Sequence, residues 1–316
     1  MNHVSDYFVI DGHCDVLYQL EQDEGQRSLR ERPEGQVDLK RLQEGQVAAQ
    51  FFALYGGEPN RLMLAQSSAL KQIKLLYREL KTNPELVLAG SREDVLKARN
   101  EGKIAAVLSL EGGEPLGDDP GLLEIFYRLG VRALGLTWHE RNLLASGVGD
   151  RESGGGLTAL GRMAVRMAQE LKILLDVSHL SKRSFWDLID LAQGPIIASH
   201  SSAYALCPHP RNLTDDQARA LAQTGGVIGV NFNSPFLRSQ GRAELADVVN
   251  HIDYLVQLVG PEHVGIGSDF DGIPAGPRGL EGPHRFPDLA LALKERGYED
   301  KDISNIMGAN FLRVLP

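Results

Sequence analysis

Residues 7–15 read Tyr-Phe-Val-Ile-Asp-Gly-His-Cys-Asp, an apolar run followed at once by polar side chains. A continuous apolar run predicts a strand that is buried on both faces, as in a parallel sheet covered by helices. Side chains two positions apart in a strand point the same way, so His13 and Asp15 are expected to share one face. Imidazole and carboxylate together suit a borderline divalent metal such as zinc. Because such pairs are common, a metal site is indicated only if other strands end in the same way.

Eight short apolar runs of this kind recur along the chain. They are residues 7–10, 47–54, 104–110, 131–136, 173–177, 195–198, 227–232 and 264–267. Stretches with helical periodicity lie between them, roughly at residues 62–80, 121–129, 157–171, 181–193, 214–224 and 244–259. Strands that alternate with helices predict βαβ units, and eight such units predict a closed (β/α)8 barrel of the TIM type. A doubly wound open sheet is the alternative.

The domain organisation is predicted to be simple. The sequence has no internal repeat, coiled-coil heptad or clear linker, so residues 1–316 are expected to form one domain. The tail, about 286–315, predicts two additional C-terminal helices. Two long loops rich in glycine or proline, 144–156 and 273–287, follow the fourth and eighth runs. Both are expected at the barrel face where active sites lie, as lids or as plain exposed connections.

Composition and charge limit the classes of partner. The formal net charge of −9 argues against nucleic-acid binding, because attraction to phosphates needs a basic face. Cys14 and Cys207 are the only cysteines, so two free thiols in a reducing compartment are the simpler interpretation, although one bridge stays open. Residues 1–6, Met-Asn-His-Val-Ser-Asp, have neither a basic region nor a long apolar segment. We therefore expect no signal peptide, no membrane span and a cytoplasmic protein.

Five of the eight runs are followed by a side chain that could bind a metal or act as an acid. In order, these candidates are His13 with Asp15, Glu111, His179, His200 and Asp269. Each has a plain alternative, because a histidine at a strand end is often structural and an acid there is often a helix N-cap. The ends of barrel strands, however, converge on one site. Three imidazoles and up to three carboxylates exceed the ligand need of one catalytic zinc and suit two metals that share a carboxylate and a water.

Three other polar residues have structural interpretations. Asp176 is expected to lie buried behind His179, where a carboxylate can orient a ligand histidine. Asp271 follows Asp269 by two positions, but its neighbour Gly272 predicts a turn. His251 is expected at the surface.

Six segments, read in order through nearly the whole chain, carry a family resemblance. They are residues 11–15 (Asp-Gly-His-Cys-Asp), 111–113 (Glu-Gly-Gly), 175–179 (Leu-Asp-Val-Ser-His), 199–204 (Ser-His-Ser-Ser-Ala-Tyr), 210–212 (Pro-Arg-Asn) and 267–272 (Gly-Ser-Asp-Phe-Asp-Gly). These segments resemble the renal (membrane) dipeptidases, which are binuclear zinc metallopeptidases of the amidohydrolase-like barrel type. The resemblance implies two zinc ions bridged by Glu111 and by a water or hydroxide. His13 and Asp15 look like ligands of the first zinc, and His179 and His200 like ligands of the second.

The resemblance also implies roles in catalysis and substrate binding. Asp269 matches the acid/base, which takes a proton from the attacking water and delivers it to the leaving amine. Arg211 matches the residue that binds the terminal carboxylate, a task suited to a guanidinium fork.

The family also has a histidine after the fourth strand that binds the scissile carbonyl and stabilises the oxyanion. Residues 136–142 read Leu-Thr-Trp-His-Glu-Arg-Asn. Counting forward from Leu136 places Trp138 there, whereas counting back from Asn142 places His139. We predict His139 for both roles. If Trp138 faces the site instead, oxyanion stabilisation rests on the metals.

The function implied is that of a cytoplasmic zinc dipeptidase that cleaves short peptides, including L-Xaa-D-Xaa dipeptides, by means of a metal-bridging hydroxide. The implied partner is a small peptide substrate, and the family is often a homodimer. The alternative is a binuclear hydrolase that acts on another amide, ester or lactam. A non-catalytic binding or structural barrel is the third hypothesis, which the retained set of six polar side chains disfavours.

Overall fold

Eight parallel strands close into a barrel in the computed structural model, which describes residues 7–24, 26–56, 62–150 and 153–316. The strands in chain order are β1 (Val9–Cys14), β2 (Val47–Tyr55), β3 (Leu86–Leu88), β4 (Ile104–Glu111), β5 (Val131–Gly135), β6 (Leu174–Asp176), β7 (Ile196–Ala198), β8 (Val227–Val230) and β9 (Val264–Ile266). The ring runs β1-β2-β4-β5-β6-β7-β8-β9 and closes through the pairing of β9 with β1. The predicted (β/α)8 barrel is therefore confirmed, and each of the eight apolar runs contributes one barrel strand.

One strand, β3, was not predicted and lies outside the ring. It pairs with the first half of β4, where Leu86 is opposite Ile104. The same edge of β4 then pairs with β5, where Leu108 is opposite Val131. A strand of three residues is too short for its apolar pattern to be told from a turn.

Helices separate the strands and cover the barrel. They are α1 (Val16–Gln22), α2 (Leu39–Glu44), α3 (Leu62–Thr82), α4 (Arg92–Asn100), α5 (Leu122–Arg128), α6 (Ala159–Glu170), α7 (Lys182–Ile189), α8 (Asp215–Gln223), α9 (Ser234–Leu237), α10 (Leu245–Val259), α11 (Phe286–Glu295), α12 (Asp300–Ser304) and α13 (Asn310–Val314). A π-helical turn at Asn305–Ala309 joins α12 to α13. The two helices predicted in the tail are thus α11 and the continuous segment 300–314.

The last helix closes one end of the barrel. Phe311 of α13 is fully buried, and its ring packs 5.7 Å from the ring of Phe51, centroid to centroid. A Cβ atom at Gly12 would lie 2.6 Å from this ring, and one at Gly265 would lie 2.7 Å from it. Glycine at these two positions therefore leaves the room that the Phe311 ring fills.

His251 of α10 was predicted at the surface, and that prediction is wrong. The side chain is buried, with Nδ1 accepting from the Ala203 N–H (3.1 Å) and Nε2 donating to the Leu237 carbonyl (3.0 Å). Cys14 and Cys207 are both free and buried. Among the residues described, no helix is long and apolar enough to cross a membrane.

Candidate active site

The structure brings the six strand-end candidates together at one end of the barrel. His13 lies within β1, Asp15 follows that strand directly, and Glu111 is the last residue of β4. His179, His200 and Asp269 follow β6, β7 and β9 by two or three residues. His13, Asp15, Glu111, His200 and Asp269 are buried, and the His179 side chain is 10% exposed. The convergence predicted from a barrel is therefore present in the fold.

Glu111 is the centre of the cluster. Its Oε1 atom lies 3.0 Å from His179 Nε2, 3.5 Å from His13 Nε2 and 3.6 Å from His200 Nε2. One carboxylate oxygen thus faces three imidazole nitrogens, which is the position that a carboxylate shared between two metals would occupy.

A second group shares His13 with the first. His13 Nε2 is 3.3 Å from Asp15 Oδ2 and 4.0 Å from Asp269 Oδ1. The ligand atoms of His13, Glu111 and His200 all lie within 4.8 Å of one another, and so do those of His13, Asp15 and Asp269. Because the His13 nitrogen can bind only one metal, a second metal would need its ligands from the other members of the cluster.

The donor set fits a divalent metal. His13 Nε2 is buried and makes no hydrogen bond with any residue that the structure describes, although carboxylate oxygens surround it. Burial lowers the pKa of His179 and of His200 well below the ordinary value, so both rings are neutral at pH 7, the form that binds metals. Burial acts the same way on His13, but the Glu111 and Asp15 charges outweigh it and raise the His13 pKa well above its ordinary value. A cation bound here would replace the proton that these carboxylates attract. Nitrogen and oxygen donors without thiolate suit zinc, manganese or cobalt.

Asp269 is placed by an unusual backbone conformation. Its φ is +63°, in the left-handed region that an aspartate adopts more easily than most residues. Its N–H donates to the His13 carbonyl (3.2 Å), and Asn231 Nδ2 donates to its Oδ2 (2.9 Å). Oδ1 is then left facing His13. Burial and the neighbouring Asp15 charge raise the pKa of Asp269 to about 8 in the metal-free protein.

Asp11 fixes the strand that carries His13. Its buried carboxylate accepts from the N–H (2.8 Å) and hydroxyl (2.6 Å) of Ser268 and from Gln50 Nε2 (3.0 Å). These bonds tie β1 to β2 and to the segment after β9. Burial raises the pKa of Asp11 to about 6 despite the three donors.

Asp271 has a structural role. Its carboxylate pairs with the buried guanidinium of Arg32 and accepts from the N–H groups of Gln36 (2.7 Å) and Val37 (3.3 Å). The turn predicted beside Gly272 is present, and Asp271 itself has a φ of +67°. This ion pair anchors the segment before α2 against the loop that carries Asp269.

Arg211 is buried, so it is not a solvated loop arginine. Nη2 donates to the His200 carbonyl (3.0 Å), and the guanidinium lies 5.6 Å from the ring of Phe236. Nε makes no hydrogen bond within the described part of the chain. The side chain therefore has donors left for a ligand.

The cavity over the cluster has a volume of about 370 Å³. Its lining includes Asp15, Tyr18, Tyr55, Glu111, Trp138, His139, His179, Arg211, Phe236 and Asp269. A volume of this order suits a small ligand. A neighbouring cavity of about 530 Å³ shares His179 and Arg211 with it.

Trp138 and His139, the two candidates for the oxyanion role, both line this cavity. The Trp138 ring packs 4.9 Å from Tyr55 and 6.1 Å from His179, centroid to centroid. His139 packs against Trp138 at 5.6 Å, and its side chain is 47% exposed. The oxyanion role of His139 stays a prediction, since the residue that packs against a candidate metal ligand is Trp138.

Comparison with known proteins identifies the family. The model of the membrane dipeptidase family (peptidase family M19) matches residues 3–316. The chain belongs to this family. A protein from the pqqA 5′ region of Klebsiella pneumoniae is 38% identical over 268 residues, which cover 82% of this chain and 97% of that relative. A Schizosaccharomyces pombe protein described as an uncharacterized dipeptidase is 40% identical over 253 residues, which cover 78% of this chain and 61% of the yeast protein.

Solved structures of M19 proteins share the whole fold. A metallopeptidase from Rhodobacter sphaeroides, liganded with a phosphinate mimic of the dipeptide L-Ala-D-Ala, superimposes with a TM-score of 0.92 at 31% identity. The match covers 98% of this chain and 99% of that chain. A probable dipeptidase from Pseudomonas aeruginosa superimposes with a TM-score of 0.90 at 25% identity and covers 99% of this chain and 95% of that one.

One residue of this M19 site, Asn231, was not predicted from the sequence, and the predicted partner of another, Asp176, was wrong. Asn231, which holds Asp269, follows β8, and a polar residue at that strand end was the available signal. Asp176 is buried as expected, but it contacts Ser199, which in turn contacts His200. The expected position behind His179 was therefore wrong. Asp176 meets Ser199 because β6 pairs with β7. The spacing of residues along the sequence does not reveal this pairing.

Proposed function

We propose that this chain is a zinc-dependent dipeptidase that hydrolyses short peptides, including L-Xaa-D-Xaa dipeptides, at a two-metal centre. Metal-dependent hydrolysis of dipeptides is the activity of its family. The observation that carries the two-metal proposal is Glu111 Oε1, which lies 3.0–3.6 Å from three imidazole nitrogens. The L-D preference is supported by the L-Ala-D-Ala mimic bound to the Rhodobacter sphaeroides relative.

Each proposed metal has three ligands from this chain. His13 and Asp15 would hold the first with Glu111, and His179 and His200 would hold the second with the same Glu111. Metals bound there would supply Lewis acidity and an activated water. The neutral imidazoles and the surplus of negative charge from Asp15 and Glu111 favour such cations.

Asp269 is proposed to move the proton. Its Oδ2 is occupied by Asn231, so Oδ1, which faces the cluster, is the oxygen that would exchange a proton. Metal cations bound beside it would lower the pKa of Asp269 below its value in the metal-free protein, so the carboxyl would be ionised and able to act as a base. A carboxyl whose pKa lies near neutral pH both accepts and returns a proton readily. Asp269 would take the proton from the attacking water and donate it to the leaving amine nitrogen.

Arg211 is proposed to bind the substrate's C-terminal carboxylate. Its bond to the His200 carbonyl holds the guanidinium at a fixed place beside the metal ligands. A buried guanidinium binds a carboxylate through two parallel, charge-assisted hydrogen bonds. A peptide anchored there places only its last peptide bond at the metals, which limits the substrates to short peptides.

A matched pair of substrates tests this function. We expect Arg211→Ala to lower kcat/KM for a dipeptide by about a hundredfold or more, because charge-assisted hydrogen bonds contribute about 1.5–3 kcal/mol each. The C-terminal amide of the same dipeptide should be a poor substrate for the wild type and should lose little more in the variant. Equal losses of kcat/KM on both substrates would favour the alternative hypothesis, a binuclear hydrolase of another amide, ester or lactam.

We further propose a homodimer in the cytoplasm. Dimerisation is inferred from the family, and the location from two free, buried thiols, which suit a reducing compartment. Sedimentation equilibrium and subcellular fractionation test these two proposals. A monomer, or recovery outside the cytoplasmic fraction, would contradict them.

A further inference from the structure

A row of three buried side chains lies behind the cluster at His200. Asp176 Oδ1 accepts from the backbone N–H groups of Ser178 (2.9 Å) and Ser199 (3.0 Å). Asp176 Oδ2 accepts from the Ser199 hydroxyl. Ser199 Oγ also lies 2.7 Å from His200 Nδ1. Asp176, Ser199 and His200 are 4%, 0% and 1% exposed, so no solvent intervenes.

The hydrogen atoms in this row can be assigned. The Asp176 carboxylate accepts from two backbone N–H groups through Oδ1 and offers only an acceptor, Oδ2, to Ser199. The single hydrogen of Ser199 must therefore point to Asp176. Only lone pairs of Ser199 Oγ then face His200, so His200 Nδ1 must carry the hydrogen and donate it. A neutral imidazole has one N–H, which leaves Nε2 as a bare lone pair.

That lone pair faces the centre of the proposed site. His200 Nε2 lies 3.6 Å from Glu111 Oε1 and 2.9 Å from His179 Nε2. In the opposite tautomer a hydrogen would occupy the same space and would have to leave before a metal could bind. We propose that Asp176 and Ser199 form a relay that fixes the Nδ1–H tautomer of His200 and keeps its Nε2 ready for a metal. Asp176 and Ser199 are positioning residues, since neither faces the substrate cavity.

The substitution Asp176→Asn should reverse the relay. The two backbone N–H groups still need an acceptor, so the amide oxygen of the new side chain must face them. Its NH2 group then faces Ser199 and donates to Oγ, which turns the Ser199 hydrogen towards His200 Nδ1. His200 must now carry its hydrogen on Nε2, at the metal position. Ser199→Ala, in contrast, removes the relay and leaves neither tautomer favoured.

Ser178→Ala is the matched control. The Ser178 hydroxyl is also buried, accepts from the His200 N–H (3.2 Å) and lies 3.4 Å from Ser199 Oγ, a longer contact than the one Ser199 Oγ makes with His200 Nδ1 (2.7 Å). It contacts neither Asp176 Oδ2 nor His200 Nδ1 in the described part of the chain, so we expect it not to set the direction of the relay. The change removes one buried hydroxyl, as Ser199→Ala does. A general loss of packing would affect both serine variants alike.

The decisive readout is the tautomer of His200, measured in metal-free protein labelled with ¹⁵N-histidine. Long-range ¹H–¹⁵N NMR spectra should show the Nδ1–H form in the wild type and in Ser178→Ala, and the Nε2–H form in Asp176→Asn. Titration calorimetry should show zinc binding at one of the two metals weakened by about tenfold to a hundredfold in Asp176→Asn and unchanged in Ser178→Ala. An Nε2–H signal in the wild type would overturn the relay, whether or not Asp176→Asn folds. An unchanged tautomer in folded Asp176→Asn would also overturn it.

The inference rests on the proposed function in one respect, the assignment of His200 as a metal ligand. The tautomer is read without metal or substrate, so a failure to cleave dipeptides leaves the relay standing. An active enzyme with His200 in the Nε2–H form would instead overturn the relay and leave the dipeptidase proposal intact.

Discussion

Asp269 and Asp271 offer a paired experiment in which one substitution should abolish activity and the other should reduce stability. Both are buried aspartates with a left-handed backbone, and both can be changed to asparagine, which adopts that conformation readily. Asp269 faces the proposed metals, whereas Asp271 pairs with Arg32. The same change of one oxygen for one NH2 group therefore removes a proton carrier in one case and an ion pair in the other.

For Asp269→Asn we expect kcat to fall by about 10²–10⁴-fold, the usual contribution of a positioned acid or base. The metal-free variant should be more stable than the metal-free wild type. Asp269 has a pKa of about 8 in the fold against an ordinary 3.8, so the folded chain holds a proton that the unfolded chain releases. At pH 7 this costs up to about 4 kcal/mol, from about 1.36 kcal/mol per pH unit between 3.8 and 7. Wild-type stability should accordingly fall as pH rises from about 4 to 8, and this part of the decline should be absent in the variant.

For Asp271→Asn we expect the reverse. The Arg32 guanidinium is 3% exposed and would be left buried without its counter-charge, which costs about 3–5 kcal/mol. Activity per folded molecule should stay within about tenfold of wild type, because the Asp271 carboxylate is committed to Arg32 and to two backbone N–H groups. Urea unfolding and steady-state kinetics on both variants measure the two effects. Full activity in Asp269→Asn, or an inactive but stable Asp271→Asn, would refute the assignment of these two carboxyls.

Three further changes have defined outcomes. Phe311→Ala should cost about 3–5 kcal/mol in urea unfolding, because it leaves a cavity beside Gly12 and Gly265, and a cost below about 1 kcal/mol would contradict the interior packing. Burial lowers the pKa of His251 below the 6.5 of the unfolded chain, so its contribution to stability is present above pH 6.5 and is lost as pH falls. His251→Gln should therefore flatten the acid side of the stability curve, and an unchanged pH profile would count against this. Chelation should lower the melting temperature, and zinc at a hundredfold excess over Kd should restore about 2.7 kcal/mol; no shift would argue against a metal centre.

Much of the fold was predictable because its signal is local. Continuous apolar runs marked every barrel strand, and the polar residues that follow them marked the site, since barrel topology brings strand ends together. His251 could have been placed correctly, because it lies three residues after Val248 and four before Leu255, on the buried stripe of α10.

Other features depend on contacts between distant segments. Arg32 meets Asp271 across 239 positions of sequence, and Asp176 meets Ser199 only because β6 and β7 are neighbours in the ring. No spacing rule indicates such partners. The choice between Trp138 and His139 was open for a similar reason, since the loop after β5 is irregular and a register taken from either end differs by one residue.

The central claim is a two-metal centre that cleaves dipeptides, and one preparation can test both parts. Zinc-loaded protein should be freed of excess metal, its metal content quantified, and the same sample assayed on L-Ala-L-Ala and L-Ala-D-Ala. We expect about two metals per chain and turnover of at least one dipeptide, with the L-D substrate cleaved. One metal or none per chain would contradict the shared role of Glu111. Two metals without turnover of either dipeptide would contradict the proposed substrate.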